Sequence, residues 1–399
     1  MKIDMLTKFE KDIVEIIKCS LNGQVPQTSD DFNVEDAYNF AQEMQITPLI
    51  YYGLAATPNF TDSIEGKKFL KSTMIQAYIS SNQMELIQLV SSEFKNGGIE
   101  FLKLKGTLLK EMYPYPEMRV MSDADILIKT EQYELIKPIM VNLGFEEVPT
   151  ESDHELVWKN GDFILELHKR LIPSYNKDYY SYFGEGWRLA RKLEGSSEYV
   201  MNNEDNFIYL FTHLAKHYRD SGIGIKHLTD FYVFFEKNKN LDWNYIENEL
   251  AKLQLLEFWK NIHRLLDAWF KNSEWDDISV FLTKKFFING VYGNEENQIN
   301  SEALKLSKSN KNGIQIKREK TIYLIFLPYE RMCVRFPFLK KAPVLLPIMW
   351  VWRWIDAILF RRKNIKAKKN RINMISQEGI NKYHNELKYV GLDFNFDED

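Results

Sequence analysis

Asp123 and Asp125 stand two residues apart at the head of the apolar run DADILIK. In an extended chain alternate side chains share a face, so both carboxylates and Leu127 point one way and Ala124, Ile126 and Ile128 the other. Carboxylates at that spacing suit Mg²⁺ (or Mn²⁺), a hard cation that takes oxygen ligands and gathers phosphate oxygens around itself. Upstream, Lys105-Gly106-Thr107 closes the apolar stretch IEFLKL. A glycine turn opening a helix lets backbone N–H groups approach an anion, and Lys105 and Arg119 are the nearest cations for a triphosphate. Downstream, in DFILELH, Ile164, Glu166 and His168 share one face and Phe163, Leu165 and Leu167 the other. If that strand lies beside the Asp123 strand, Glu166 is a third carboxylate, able to hold a metal and to act as base toward an attacking hydroxyl. Each feature alone has an ordinary reading: a solvated strand end, a turn, an edge-strand residue. Their order and shared strand geometry favour the joint one.

The elements around these residues follow from pattern and punctuation. Gly97-Gly98 ends a helical region, and Ile99 to Leu104 reads as a short buried strand. Gly106-Thr107 then turns into a short helix, Leu108 to Met112, which stops before Pro114. Pro116 continues the loop, and Asp123 to Lys129 is a strand. A helix over 131–142, kinked by Pro138, ends at Gly144. Asn160-Gly161 between two strand-like runs signals a hairpin. Residues 170–200 read as loop-rich.

Helices flank this core. Asn33 caps one helix, with Asp36 at N3, and Pro48 interrupts the pattern. The next covers 65–96, with Ile75, Tyr78, Ile79, Leu86, Leu89 and Val90 on its apolar side. Helical periodicity returns over 204–290, with His213 and His217, and then Lys226 and Asp230, at i, i+4 spacing. The fold class is α+β: a small mixed β-sheet core at 96–185, an N-terminal helical cap at 1–95 and a C-terminal helical domain at 200–290. A polar, mobile connection at 291–320 leads to an apolar and basic helical tail at 321–399.

Bulk properties narrow the function. The 399 residues allow two or three domains, and the net charge of −4 argues against a protein that coats nucleic acid, so no DNA partner is expected. Two cysteines, Cys19 and Cys333, exclude a disulfide framework or a cysteine-based zinc site. The N-terminus carries acids among its apolar positions. It reads as an amphipathic helix and not a signal peptide, so a reducing cytoplasm is the expected compartment. In the tail, Lys340-Lys341 precede an apolar run holding Trp350, Trp352 and Trp354, interrupted by Arg353 and Asp356 and followed by RRKNIKAKKNR. It reads as a buried helix with a solvated basic end, as a peripheral membrane contact over 340–371, or as a contact to RNA phosphates.

The order strand, Gly-(Ser/Thr), helix, Asp-x-Asp strand and later carboxylate strand resembles the DNA polymerase β-type nucleotidyltransferase superfamily. More narrowly, the chain is similar to a bacterial group of uncharacterised nucleotidyltransferase-family proteins. The likeness rests on Leu104-Lys105-Gly106, Tyr113-Pro114, Arg119, Asp123-Ala124-Asp125, Leu167-His168-Lys169, His213, His217, Lys226 and Asp230. It reaches PLIYYGL near residue 50 and the FP-containing tail, and is most specific over 102–168. Two departures stand out: Thr107 replaces the usual serine, keeping the hydroxyl, and Glu166 replaces a frequent aspartate, keeping the charge at longer reach.

The resemblance implies Mg²⁺-dependent transfer of a nucleoside monophosphate from NTP to a hydroxyl or phosphate of a small molecule, protein or RNA. Asp123, Asp125 and Glu166 would hold metal, and Lys105, Gly106, Thr107 and Arg119 the phosphates. His168 would touch the nucleotide or orient Glu166. His213 and His217 read as core or substrate-contact histidines or as half of a metal site, and Lys226 and Asp230 as a helix ion pair or as neighbours of the site. The alternative is a catalytically inactive nucleotide-binding or membrane-peripheral scaffold.

Overall fold

In the computed structural model, residues 4–150, 152, 154–291, 293–307, 311–360 and 362–392 are described. The acidic, aromatic end FNFDED lies outside them. Seven strands form one mixed sheet: β1 (Phe101–Lys103), β2 (Asp123–Ile128), β3 (Glu146–Val148), β4 (Glu155–Asn160), β5 (Phe163–His168), β6 (Ala190–Lys192) and β7 (Glu198–Met201). Their order is β3-β4-β5-β2-β1-β7-β6. The β2–β5 and β1–β7 pairs are parallel and the others antiparallel. Helices surround the sheet, and the α+β class stands.

Alternation along β2 and β5 sorts side chains as the sequence predicts. Ala124, Ile126, Ile128, Leu165 and Leu167 face a core that also takes Trp158 of β4. Ile87, Val90 and Phe94 of the Ile64–Asn96 helix cover that face, with Ile136 and Met140 of the Tyr133–Asn142 helix. Burying one such side chain stabilises by about 1.5–3 kcal/mol, so this layer fixes which face of the sheet stays polar. The hairpin that brings β5 into place has a two-residue loop. Asn160 pairs with Phe163, leaving Gly161 and Asp162 between the strands, and Gly161 sits in the left-handed region at φ +57°.

The chain divides into two compact units. One comprises the described residues of 4–218, 223–291 and 390–392, and it holds the whole sheet. The other holds the helices from Glu295–Ser307 to Gln377–Tyr389.

Several expectations change. Asn33 caps the Val34–Glu43 helix by accepting from the amides of Glu35 and Asp36, but Pro48 opens a further helix, Thr47–Leu54, in its first turn. In the Ile64–Asn96 helix, Ile75, Tyr78, Ile79 and Leu89 are exposed and only Val90 of the expected stripe is fully buried. The buried face runs through Phe69, Thr73, Ser80, Gln83, Ile87, Val90 and Phe94. Apolar residues lie all round this helix, so periodicity does not select a face. The buried bond from Gln83 Nε2 to the Met121 carbonyl, 2.8 Å, is part of what does.

Residues 170–200 are not merely loops, since they supply β6 and β7. Glu198 of β7 accepts from Lys95 at 2.6 Å and Lys103 at 3.0 Å, so ion pairs replace the apolar alternation that marks most strands. The polar stretch 291–320 carries the helices Glu295–Ser307 and Gly313–Ile325, seated by the sparse apolar positions Ile299, Ala303, Leu304 and Ile316. The tail helix Leu346–Phe360 is not buried: of the 18-residue stretch Pro343–Phe360, only 6% is covered.

Gly161→Val is expected to destabilise the sheet-bearing unit by about 1–2 kcal/mol in urea unfolding, because a β-branched residue resists positive φ. Gly161→Asn, which tolerates that region, recovers most of the loss.

Candidate active site

Parallel pairing of β2 with β5 puts Asp125 directly opposite Glu166 and Leu127 opposite His168. Asp123, one pleat back from Asp125, shares their face. The turn that precedes the short Lys105–Lys110 helix is tied to the same place, since the Leu104 amide donates to the Asp125 carbonyl at 3.0 Å. Lys105 then adopts φ +38°, unusual for a residue with a side chain, and its Nζ lies 3.0 Å from Asp125 Oδ1. His168 Nε2 lies 2.8 Å from that same oxygen and 3.4 Å from Glu166 Oε2.

The electrostatics follow from this crowding. Burial alone would raise the pKa of Asp125, but the Lys105 charge and the His168 hydrogen bond outweigh it and hold the carboxyl well below its ordinary range. Burial works against the Lys105 ammonium, and the Asp125 charge overrides it and raises the pKa. His168 is likewise opposed by burial and raised by its bonds to Asp125 and Glu166. Asp123 shifts the other way, raised by burial and then by the charges of Asp125 and Glu166.

Among the described residues no side chain hydrogen-bonds Asp123. Three carboxylates thus share this face with Lys105 against Asp125, and ligand atoms of Asp125, Glu166 and His168 lie within 4.8 Å of one another, a group that does not include Asp123. An oxygen-rich, mutually repelling set of this kind fits a divalent cation.

The neighbouring elements explain the other residues. A Cβ on Gly106 would stand 2.9 Å from Arg119 Nη1 and 3.0 Å from Met121 Sδ, so the glycine is needed for the close approach of the 119–121 loop. The Thr107 hydroxyl is buried and has no hydrogen-bond partner among the described residues. Arg119 is buried in a two-pronged pair with Asp230, Nε to Oδ1 at 2.7 Å and Nη2 to Oδ2 at 2.9 Å, and Tyr113 also donates to Oδ1 at 2.8 Å. It clamps the loop before β2 to the Ile225–Lys237 helix instead of standing free for phosphates. Lys226 accordingly is not the partner of Asp230. Its Nζ donates to the Val120 carbonyl at 3.2 Å, and burial, then Arg119, lowers its pKa to about 8 while Asp230 and Asp123 pull upward.

His213 and His217 approach Nε2 to Nε2 at 3.1 Å, a contact that admits only one proton between them. Burial, with Lys105 and His217 acting on His213 and with Lys216 and His227 acting on His217, holds both pKa values well below the usual histidine range. No third ligand gathers with this pair among the described residues. Sequence reasoning missed Tyr209, fully buried, with burial raising its pKa and with the Lys105 and Asp125 charges acting on it. The signal was available: Tyr209, His213 and His217 recur at i, i+4 on the Asn203–Asp220 helix, which turns that face toward the charges of Lys105 and Asp125.

Residues 30–271 match the model of a family described as uncharacterised nucleotidyltransferases. That is more than half of the chain and includes every residue above, and the chain belongs to this family. Among curated proteins and among solved structures, nothing matches it.

Two outcomes follow. Asp230→Asn leaves the buried Arg119 without its counter-charge and is expected to cost about 3–5 kcal/mol of unfolding free energy, read by denaturant titration. Melting temperature against pH, without divalent ions, tests the Asp125–His168 pair. A carboxyl whose pKa is lowered on folding stabilises above its unfolded value, 3.8, and loses that as pH falls. A histidine whose pKa is raised stabilises below its unfolded value, 6.5, and loses that as pH rises through the folded one. Asp125→Asn is expected to flatten both limbs.

Proposed function

We propose that this family member is a polymerase β-type enzyme that transfers a nucleoside monophosphate from NTP to a hydroxyl or phosphate acceptor and releases pyrophosphate. The observation that carries the reading is the register of Asp125 opposite Glu166, with Asp123 on the same face and Lys105 against it. Asp123, Asp125 and Glu166 would hold Mg²⁺ or Mn²⁺, which when bound neutralises the triphosphate and polarises the phosphoryl oxygens.

This chain's own groups do the rest. Lys105 and Lys226 contribute positive charge from two sides toward the β- and γ-phosphates, and the Gly106-Thr107 turn lies beside them. Arg119 acts through Asp230 by holding the loop that leads into β2. An acceptor oxygen attacks the α-phosphorus, the bond to the β-phosphate oxygen breaks, and Glu166, part-exposed at 22%, takes the proton from a hydroxyl acceptor. His168 keeps Asp125 ionised and oriented. The acceptor belongs to a small molecule, a protein or an RNA.

Thermal melting with Mg²⁺ and each NTP in turn tests the site. Saturation to about 100 times Kd adds about 2.7 kcal/mol to stability, and Asp123→Asn/Asp125→Asn abolishes the effect. Stabilisation that survives the double change refutes the site assignment. α-Labelled NTP with metabolite, protein and RNA fractions then tests transfer. A labelled product that depends on Glu166 is expected, and nucleotide binding without product in any fraction would mark an inactive binding protein.

A further inference from the structure

The Leu346–Phe360 helix presents an apolar stripe to solvent. Ile348, Val351, Trp352, Ile355 and Leu359 fall at i, i+3, i+4, i+7 and i+11 and are exposed, Ile348, Trp352 and Leu359 each by about three-fifths. Its polar groups are engaged within the same unit. Arg353 donates to the Leu324 carbonyl at 2.6 and 3.3 Å, and Asp356 pairs with Arg335 at 2.7 Å. The indole N–H groups of Trp350 and Trp354 donate to the carbonyls of Leu327 and Ile325 at 2.8 and 2.7 Å. The two charges that interrupt the apolar run therefore lie off the stripe.

Charge indicates what covers the stripe. Lys340 and Lys341 precede the helix, and Lys363, Lys366, Lys368 and Lys369 lie exposed on the next one, Arg362–Met374. Between Phe336 and Met374 the one acid is Asp356. A groove of about 570 Å³ is lined by Leu324, Leu327, Ile358 and Ile365 together with Arg353 and Lys368. Apolar walls beside cations match an acyl chain beneath a phosphate headgroup.

We propose that this helix lies in the plane of an anionic phospholipid bilayer, its aliphatic and tryptophan stripe in the acyl boundary and the lysines on the headgroups. Crossing the bilayer fits less well. Pro343–Phe360, 18 residues, reaches about 27 Å as a helix, short of the roughly 30 Å hydrocarbon core, and crossing would carry Arg353 and Asp356 to mid-depth. RNA would use the lysines and leave the stripe bare. The proposal does not rest on the nucleotidyl-transfer reading.

Vesicle flotation of the full chain tests it, with phosphatidylcholine alone and with added phosphatidylglycerol. Binding to the anionic vesicles is expected, weakening as salt rises. Trp352→Glu/Ile355→Glu is expected to abolish it. Lys363→Glu/Lys366→Glu/Lys368→Glu/Lys369→Glu is expected to lower the anionic partition on the order of a hundredfold or more. Met74→Glu, an exposed apolar position in the sheet-bearing unit, leaves it unchanged. Circular dichroism and melting keep a folding defect apart from a docking defect, and the lysine variant, changed only at exposed positions, carries the test if the stripe variant is unfolded. Equal binding to neutral vesicles, binding that survives both variants, resistance to alkaline extraction as a spanning helix shows, RNA binding without vesicle binding, or a lipid-free dimer dissolved by the stripe variant would each overturn the proposal.

Discussion

Everything at the site depends on one pairing, β2 beside β5. A parallel neighbour cannot be reached by a tight turn, and here the chain goes through the Tyr133–Asn142 helix, β3 and β4 before it returns. The pairing sets three carboxylates on one patch, which raises the electrostatic energy of the folded chain. The opposite face offsets this: Ala124, Ile126, Ile128, Leu165 and Leu167 are all completely buried, each larger side chain contributing about 1.5–3 kcal/mol. Apolar packing on one side of the sheet holds acidic side chains together on the other.

Charge compensation around the patch is layered. Lys105 and His168 both bond Asp125 Oδ1, so the carboxylate nearest the turn is already satisfied. Among the described residues no side chain hydrogen-bonds Asp123, and burial with the charges of Asp125 and Glu166 raises its pKa against the pull of Lys105 and Lys226. The two cations that follow the turn differ in how they are compensated. Arg119 is absorbed by Asp230, whereas Lys110, fully buried, has its Nζ 3.3 Å from Gln83 Oε1. Burial and Arg119 lower the Lys110 pKa to about 7.

What could be read from the sequence was local or periodic. Period-two alternation assigned the faces of β2 and β5 correctly, and the Asn160-Gly161 signal found the hairpin that carries Glu166. The Asn33 cap depends on three consecutive residues and was equally legible. Interactions between distant residues were not. Arg119 finds Asp230 across 111 positions, and no local pattern separates that pair from the i, i+4 spacing of Lys226 and Asp230. The buried face of the Ile64–Asn96 helix was misread because partners, and not its own periodicity, choose it. Strands β6 and β7 were hidden because ion pairs to Glu198 and Glu100 replace an apolar stripe.

The two-residue loop of the β4–β5 hairpin has a genetic consequence. Between Asn160 and Phe163 the chain has no slack, and a strand alternates with period two. Deleting or inserting a single codon between Gly161 and Leu165 would either break the pairing with β2 or rotate Glu166 into the apolar layer and bring a leucine to the carboxylate patch. A change of length by one residue is therefore expected to be harmless only outside β2, β4 and β5, and the hairpin itself to accept change by substitution alone.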